Sequence, residues 1–216
     1  LIQPCCITHN LSEIPLDIID ICFICVGPRN VKRIPDEISH IKCPIYSLEN
    51  DPNTVEVIKK KYLLEKVYFG VPDVITSSTA SPENLIEDKL SLHTENGILY
   101  LQDADIETHL KDKLPDVRWL SRDRFKQEWD AKFFLHNTTH CIAAYLGFIK
   151  GATYVHQGLN YPEICQIIEG VIQEILSTLK ITTNYSHDFL ETYAEKEVSR
   201  FSNNLLFDPI KRVARE

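Results

Sequence analysis

At 216 residues, 44% hydrophobic and 25% charged, the chain has the composition of one large globular domain or two small ones, not of a disordered segment. Its longest apolar stretch, Ile21–Gly27, falls far short of the roughly 20 residues a spanning helix needs, so no membrane partner is expected. Lys+Arg 23 against Asp+Glu 31 leaves a net charge of −8, which repels a phosphate backbone and argues against nucleic acid.

The first residues lack a basic segment followed by an apolar one, so a secretory precursor is not expected. Seven cysteines, an odd number, then point to free thiols in a reducing, cytoplasmic setting. Glycine is scarce and no Gly-x-Gly occurs. Methionine is absent, as expected of a piece of a longer chain or of one whose methionines are missing from the sequence. Cys22-Phe-Ile-Cys25 and His40-Ile-Lys-Cys43 have zinc-like spacing, but a strand would point Cys22 and Cys25 to opposite faces, so core cysteines are the expectation. Cys5-Cys6 is a weaker pair still.

In chain order, Ile18–Gly27 and Cys43–Glu49 read as strands apolar on both faces, as in a parallel sheet covered on both sides. Helical or loop returns over Asn30–His40 and Thr54–Leu64 separate them, and Val67–Val71 is a third strand. Residues 76–86, small and polar with one proline, read as a linker or active-site loop. Asn96-Gly97 between Lys89–His93 and Ile98–Gln102 predicts a hairpin excursion. From about residue 104 the pattern turns helical. Asp123–Phe148 is a long helix stopped by Gly151, Asn160-Tyr-Pro-Glu opens another running to about Leu179, and Ser186–Phe201 is a third with Ser186 as N-cap. The fold class is therefore α/β. A partial Rossmann-like, doubly wound parallel sheet over residues 1–103 is followed by a mainly α-helical domain over 104–216.

One segment concentrates chemistry, Ala131-Lys-Phe-Phe-Leu-His-Asn-Thr-Thr-His-Cys-Ile-Ala-Ala-Tyr-Leu-Gly147. With Lys132 at zero and 100° per residue, His136 falls at about 40°, His140 at about 80° and Asn137 at about 140°, one polar face. Phe133, Phe134, Leu135, Ile142 and Leu146 on the other sides predict a helix buried over much of its surface. Unpaired polar groups there would each cost several kcal/mol, so the cluster implies binding or chemistry. The plainer alternatives are a Lys132 at an exposed edge with a satisfied core His140, and a His136-x3-His140 metal pair that lacks an evident third ligand.

Lys132-x4-Asn137-x2-His140, continued as Ala-Ala-Tyr-Leu-Gly, resembles the helix of the polyol-specific long-chain dehydrogenases. Cys25-Val-Gly-Pro28, Leu48-Glu-Asn50, Pro72-Asp-Val-Ile-Thr76 and Arg200-Phe-Ser-Asn203 with Asp208 and Arg212-Val-Ala-Arg215 resemble further landmarks of that family in the same order. The resemblance implies an NAD(H)-dependent, metal-independent hydride transfer between a sugar alcohol and its keto sugar. The helix favours the pair mannitol 1-phosphate and fructose 6-phosphate. Lys132 would be the acid/base, which requires an amine brought from about 10.4 toward roughly 7–8. Asn137 and Asn50 would donate to the developing alkoxide and His140 would orient the substrate oxygen. Val26, Gly27, Pro28 and Asn50 would meet the cofactor. Asp73, His136 and Arg212 would meet substrate, with Lys211 and Arg215 as further basic candidates for a phosphate. Thr139 stands where the family has glycine, placing a side chain close to the implied substrate, and Val74 stands where it has arginine. On the family layout the Gly-rich loop precedes this chain and the last helices follow it. The alternative is a shortened relative without cofactor binding, acting as a binding or regulatory protein or inactive.

Overall fold

A computed structural model of the chain describes residues 8–77, 80–104 and 106–214. Two compact units form, one from the residues up to Pro72 together with Ile98–Phe125, the other from Asp73–Gly97 together with Lys126 onward.

The first unit is built on a five-stranded sheet, β1 (Cys22–Ile24), β2 (Ile45–Ser47), β3 (Val67–Asp73), β4 (Ile98–Gln102) and β5 (Val117–Leu120), with spatial order equal to chain order. β1 and β2, β2 and β3, and β4 and β5 pair in parallel. Parallel neighbours need crossovers, supplied by 3-10 turns at Pro28–Arg33 and Asp36–His40, by α1 (Asn53–Tyr62) and by α3 (Thr108–Lys113). β2 is buried on both faces, as predicted from its apolar run. Tyr46 on β2 is fully buried, packs beside Phe23, Tyr68 and Trp119, and donates its hydroxyl to the Gln102 carbonyl at 2.8 Å.

The predicted strands are longer than the observed ones. Ile18 is 72% exposed and has no packing to hold it in the sheet, so β1 keeps three residues. Pro44 lacks the N–H that would extend β2 backward, and its carbonyl instead accepts from the Cys22 amide. The Asn96-Gly97 hairpin does not form. Residues 89–93 carry no strand, and β4 pairs in parallel with β5. The four residues of β5 lie in a region read as helical. Cys22, Cys25 and Cys43 are free thiols, and burial pushes the Cys22 thiol up to about 11, which disfavours a thiolate ligand. Cys5 and Cys6 lie outside the described residues.

The second unit is helical. α4 (Arg122–Ala131), a π-helical turn (Lys132–Asn137) and α5 (Thr138–Ile149) run on without a break, and Gly151 ends the rod at φ +80°. After α6 (Val155–Gly158) come α7 (Pro162–Thr182), α8 (His187–Phe201) and α9 (Ile210–Val213). α7 buries Ile164, Ile168, Ile172, Leu176 and Leu179, one apolar stripe at helical spacing. These pack with Ala143 and Ala144 of α5 and with Leu190, Ala194 and Phe201 of α8. Gly147 and Gly158 allow α5 and α6 to meet: a Cβ on Gly158 would lie 3.2 Å from the Ala143 carbonyl oxygen. Within the stretch read as a loop, Pro82–Glu87 forms α2, capped by Ser81.

α8 starts where the sequence predicts, the Ser186 hydroxyl oxygen accepting from the Phe189 amide at 3.2 Å. Ser186→Ala should cost about 1 kcal/mol, read as a lower urea midpoint at unchanged slope. An unchanged midpoint would show that the cap contributes nothing.

Candidate active site

The residues singled out by sequence fall into both units. In the first unit, Val26, Gly27 and Pro28 follow the carboxyl end of β1, and Asn50 lies close beyond the end of β2. Glu49 ties the two ends together: its Oε1 accepts from the Val26 amide at 2.7 Å and the Gly27 amide at 3.0 Å. Gly27 adopts φ +86°, a conformation that favours glycine, and Pro28 opens the following 3-10 turn. Asn30 donates to the Val26 carbonyl at 2.8 Å, and Asn50 is exposed. In open parallel sheets ligands bind at these carboxyl ends.

In the second unit, Lys132 opens the π turn. It is 8% exposed, and His136 and His140 are as deeply buried, whereas Asn137 is half-buried. A π turn, with i→i+5 hydrogen bonds, winds more slowly than the 100° per residue assumed from sequence, so the predicted angles do not hold between Lys132 and Asn137. Phe133 and Phe134 are accordingly not buried. They are exposed and packed on each other, with Trp129 against Phe133. Isolated π turns of this kind are frequent at functional sites.

Two ionic clusters surround the histidines. Arg200 of α8 is the hub of the first: its guanidinium donates to Asp73 Oδ1 at 2.7 Å, to Glu197 Oε1 at 2.6 Å and to both oxygens of Glu95, at 3.0 and 3.1 Å through Nε. Lys196 adds a 2.7 Å contact to Asp73 Oδ2. Glu197 also holds the Nδ1 of His136 in a short contact. In the second cluster, Asp208 accepts from Arg212 Nε at 3.0 Å and from its terminal nitrogen at 2.6 Å, and Asp208 Oδ2 lies 2.8 Å from His140 Nε2. That last pair is out of line for a hydrogen bond, so the contact is electrostatic.

The electrostatics follow from burial against partners. Burial pushes the Asp73 carboxyl up, but Arg200 and Lys196 outweigh it and hold the group below its usual range. Asp208 behaves alike, burial being outweighed by His140 and Arg212. Burial drives His136 toward its neutral form against the pull of Glu197, aided by His140 and Arg200. Asp73, His136 and Glu197 bring ligand atoms within 4.8 Å of one another, but an Arg200 nitrogen already donates to both carboxylates and lies 3.5 Å from His136 Nδ1. A dication would have to displace that guanidinium.

The structure therefore gathers Asp73, His136, His140 and Arg212 in this unit, on or beside the helix of Lys132 and Asn137. Asp73 spends both carboxylate oxygens on cations, and Arg212 remains one-third exposed. Arg215 lies outside the described residues. Thr139 does not add bulk toward a ligand: it is fully buried and its hydroxyl donates to the His136 carbonyl at 3.2 Å and, more closely, to the Leu135 carbonyl. Val74 packs against Gly97, where a Cβ would also fall 2.8 Å from the Asp73 carbonyl oxygen. Glu95, Lys196 and Glu197 carry no role in the sequence reading, and Arg200 and Asp208 enter it only as landmarks. The one local signal was the i, i+3 spacing of Glu197 and Arg200.

Residues 127–216 match the family model described as mannitol dehydrogenase C-terminal domain. The chain is 36% identical over 228 residues to a mannitol-1-phosphate 5-dehydrogenase of Thermoanaerobacter pseudethanolicus, covering 96% of this chain and 58% of that relative. Against the mannitol-1-phosphate 5-dehydrogenase of Caldanaerobacter subterraneus it is 38% identical over 94 residues, 44% of this chain and 24% of the relative. It therefore spans well under two thirds of either. Among solved structures it resembles Pseudomonas fluorescens mannitol 2-dehydrogenase, a ternary complex with NAD and D-mannitol, with TM-score 0.68 and 19% identity over 90% of this chain and 51% of the other. At that identity the likeness shows the fold.

Proposed function

From this likeness we propose that the chain belongs to the mannitol dehydrogenase family and forms part of an NAD(H)-dependent polyol dehydrogenase acting on mannitol 1-phosphate and fructose 6-phosphate. The observation that carries the reading is Lys132, a lysine only 8% exposed at the head of a π turn whose helix also bears His136, Asn137 and His140. Proton transfer from the substrate hydroxyl is a task that a largely buried amine can perform once its pKa is brought toward neutrality. Asn137 donates to the oxygen that gains negative charge as the proton leaves, and His140 orients that oxygen. His136 and Arg212 contact the remaining substrate, whereas Asp73 acts through the Arg200 cluster. No divalent cation is needed in this scheme.

Val26, Gly27, Pro28 and Asn50 fit the nicotinamide side of a dinucleotide: they lie at the carboxyl ends of parallel strands, and an added Cβ at Gly27 would have nothing nearer than 3.5 Å. NAD, when bound, supplies the hydride acceptor. The first unit in this reading is the second part of a cofactor domain, and the second unit is substrate-binding.

Titration with NADH at the nicotinamide fluorescence, followed by assays with mannitol 1-phosphate, free mannitol and a hexuronate, tests the proposal. Micromolar NADH binding and oxidation of mannitol 1-phosphate, unaffected by EDTA, are expected. No NADH binding by the intact protein would leave the shortened, non-enzymatic relative as the reading.

A further inference from the structure

Beside His140 the second unit contains a small cavity of about 10 Å³. Ile75, Val155, Phe201 and Leu206 give it apolar walls, each no more than 4% exposed, so it lies inside the unit and not on its surface. A space of roughly 10–15 Å³ holds one water molecule, and water occupies it only where two or more polar groups can bind it. His140 and Asp208 line the cavity and supply two such groups. Among the described residues, His140 Nε2 and Asp208 Oδ2 are buried atoms without a hydrogen-bond partner, although they stand 2.8 Å apart. A hydrogen bond at an imidazole nitrogen runs along its proton or lone pair, in the ring plane, and Oδ2 lies off that line.

We propose that this cavity is the site of one ordered water that bridges His140 Nε2 and Asp208 Oδ2. Buried polar atoms are rarely left unpaired, and ordered water is the usual partner where the protein supplies none. The water donates one hydrogen to the carboxylate and meets Nε2 with its other hydrogen or a lone pair, so the bridge forms whether or not that nitrogen carries a proton. Two neighbours keep the atoms from closing on each other directly. Arg212 holds Asp208 through Oδ1, at 2.6 and 3.0 Å, which leaves Oδ2 for the water. The Phe201 ring, stacked on His140 at 4.9 Å and 13°, opposes the rotation that would bring Nε2 into line with Oδ2. Arg200 also lines the cavity, but its guanidinium is engaged with Asp73, Glu95 and Glu197. His156 and Asn203 bring further polar side chains to the wall, and the Asn203 amide oxygen is already taken by the Leu205 amide at 3.0 Å. The bridge joins α5 to the residues leading into α9, and it does not depend on the polyol reading above.

The test is a high-resolution crystal structure of the intact protein together with two variants. One peak of solvent density is expected in the cavity, roughly 2.7–3.2 Å from both His140 Nε2 and Asp208 Oδ2. Asp208→Leu removes the acceptor and should abolish the peak. His140→Phe keeps a ring stacked on Phe201 while removing Nε2, and should abolish it too. In solution, oxygen-17 magnetic relaxation dispersion, which counts long-lived buried waters, should register one fewer in each variant than in the wild type. An empty cavity with a direct, in-line His140–Asp208 hydrogen bond would overturn the proposal. So would a peak that touches only one of the two atoms, or one that survives both substitutions. Should either variant fail to fold, the wild-type density decides the question by itself.

Discussion

Arg200→Ala is expected to destabilise the second unit by about 3–5 kcal/mol, the usual cost of removing one partner from a buried ionic cluster. The guanidinium faces three carboxylates, Asp73 at 2% exposure, Glu197 at 0% and the more open Glu95, and Lys196 alone cannot replace it. Arg200→Lys should recover only part of the loss, because a point charge cannot serve Asp73, Glu197 and Glu95 from one planar fork. Thermal and urea unfolding of the intact protein measure this. A variant with wild-type midpoints would show that the carboxylates find other partners.

The two ionic clusters together set the response to acid. Asp73 and Asp208 titrate below the ordinary 3.8, so the unfolded chain takes up protons first and their contribution, complete above that value, disappears as pH falls through the depressed folded values. His136 adds an earlier stage: its folded form resists protonation, so stability begins to fall below about pH 6.5. In His136→Gln that first stage should be smaller, His156 still being held below its usual value by burial, while the loss at lower pH persists.

The second large effect concerns Lys132. Lys132→Ala is expected to lower kcat for mannitol 1-phosphate oxidation by about 10²–10⁴-fold, the range for losing a positioned acid/base, with NADH affinity unchanged. Lys132→Met keeps most of the side-chain volume in the buried site and should be equally inactive, which separates chemistry from packing. Lys132→Arg should not rescue, since a guanidinium does not give up its proton near neutral pH. Residual activity above a tenth of wild type in all three variants would remove Lys132 from the proton-transfer role.

How far the fold was legible depended on the range of the interactions. The apolar stripe of α7, the Ser186 cap and the stop at Gly151 are carried by residues within one or two turns, and each was readable from the chain. So was the order of β1, α1 and β3, because buried parallel strands must be nearly all apolar. β5 was not, since four residues of middling burial carry too short a pattern to stand out from helix. The Asn96-Gly97 turn misled for a related reason: the dipeptide favours a hairpin locally, but β4 found a parallel partner in β5, and residues 89–93 form no strand.

The candidate site divides in the same way. Lys132, His136, Asn137 and His140 could be named because they lie within nine residues, and the family resemblance rests on that spacing. The π turn could not, since no single residue type encodes it and its i→i+5 bonds are settled by what the helix packs against. Nor could the sequence pair His136 with Glu197, 61 residues away, or Arg200 with Asp73, 127 residues away. By itself the sequence determined the α/β class, the main helices and the family resemblance, all of which rest on short-range periodicity and motif spacing. Only the tertiary structure decided which carboxylate neutralises which cation and which nitrogen of each histidine faces a carboxylate, because those choices are made by groups that meet only once the chain has folded.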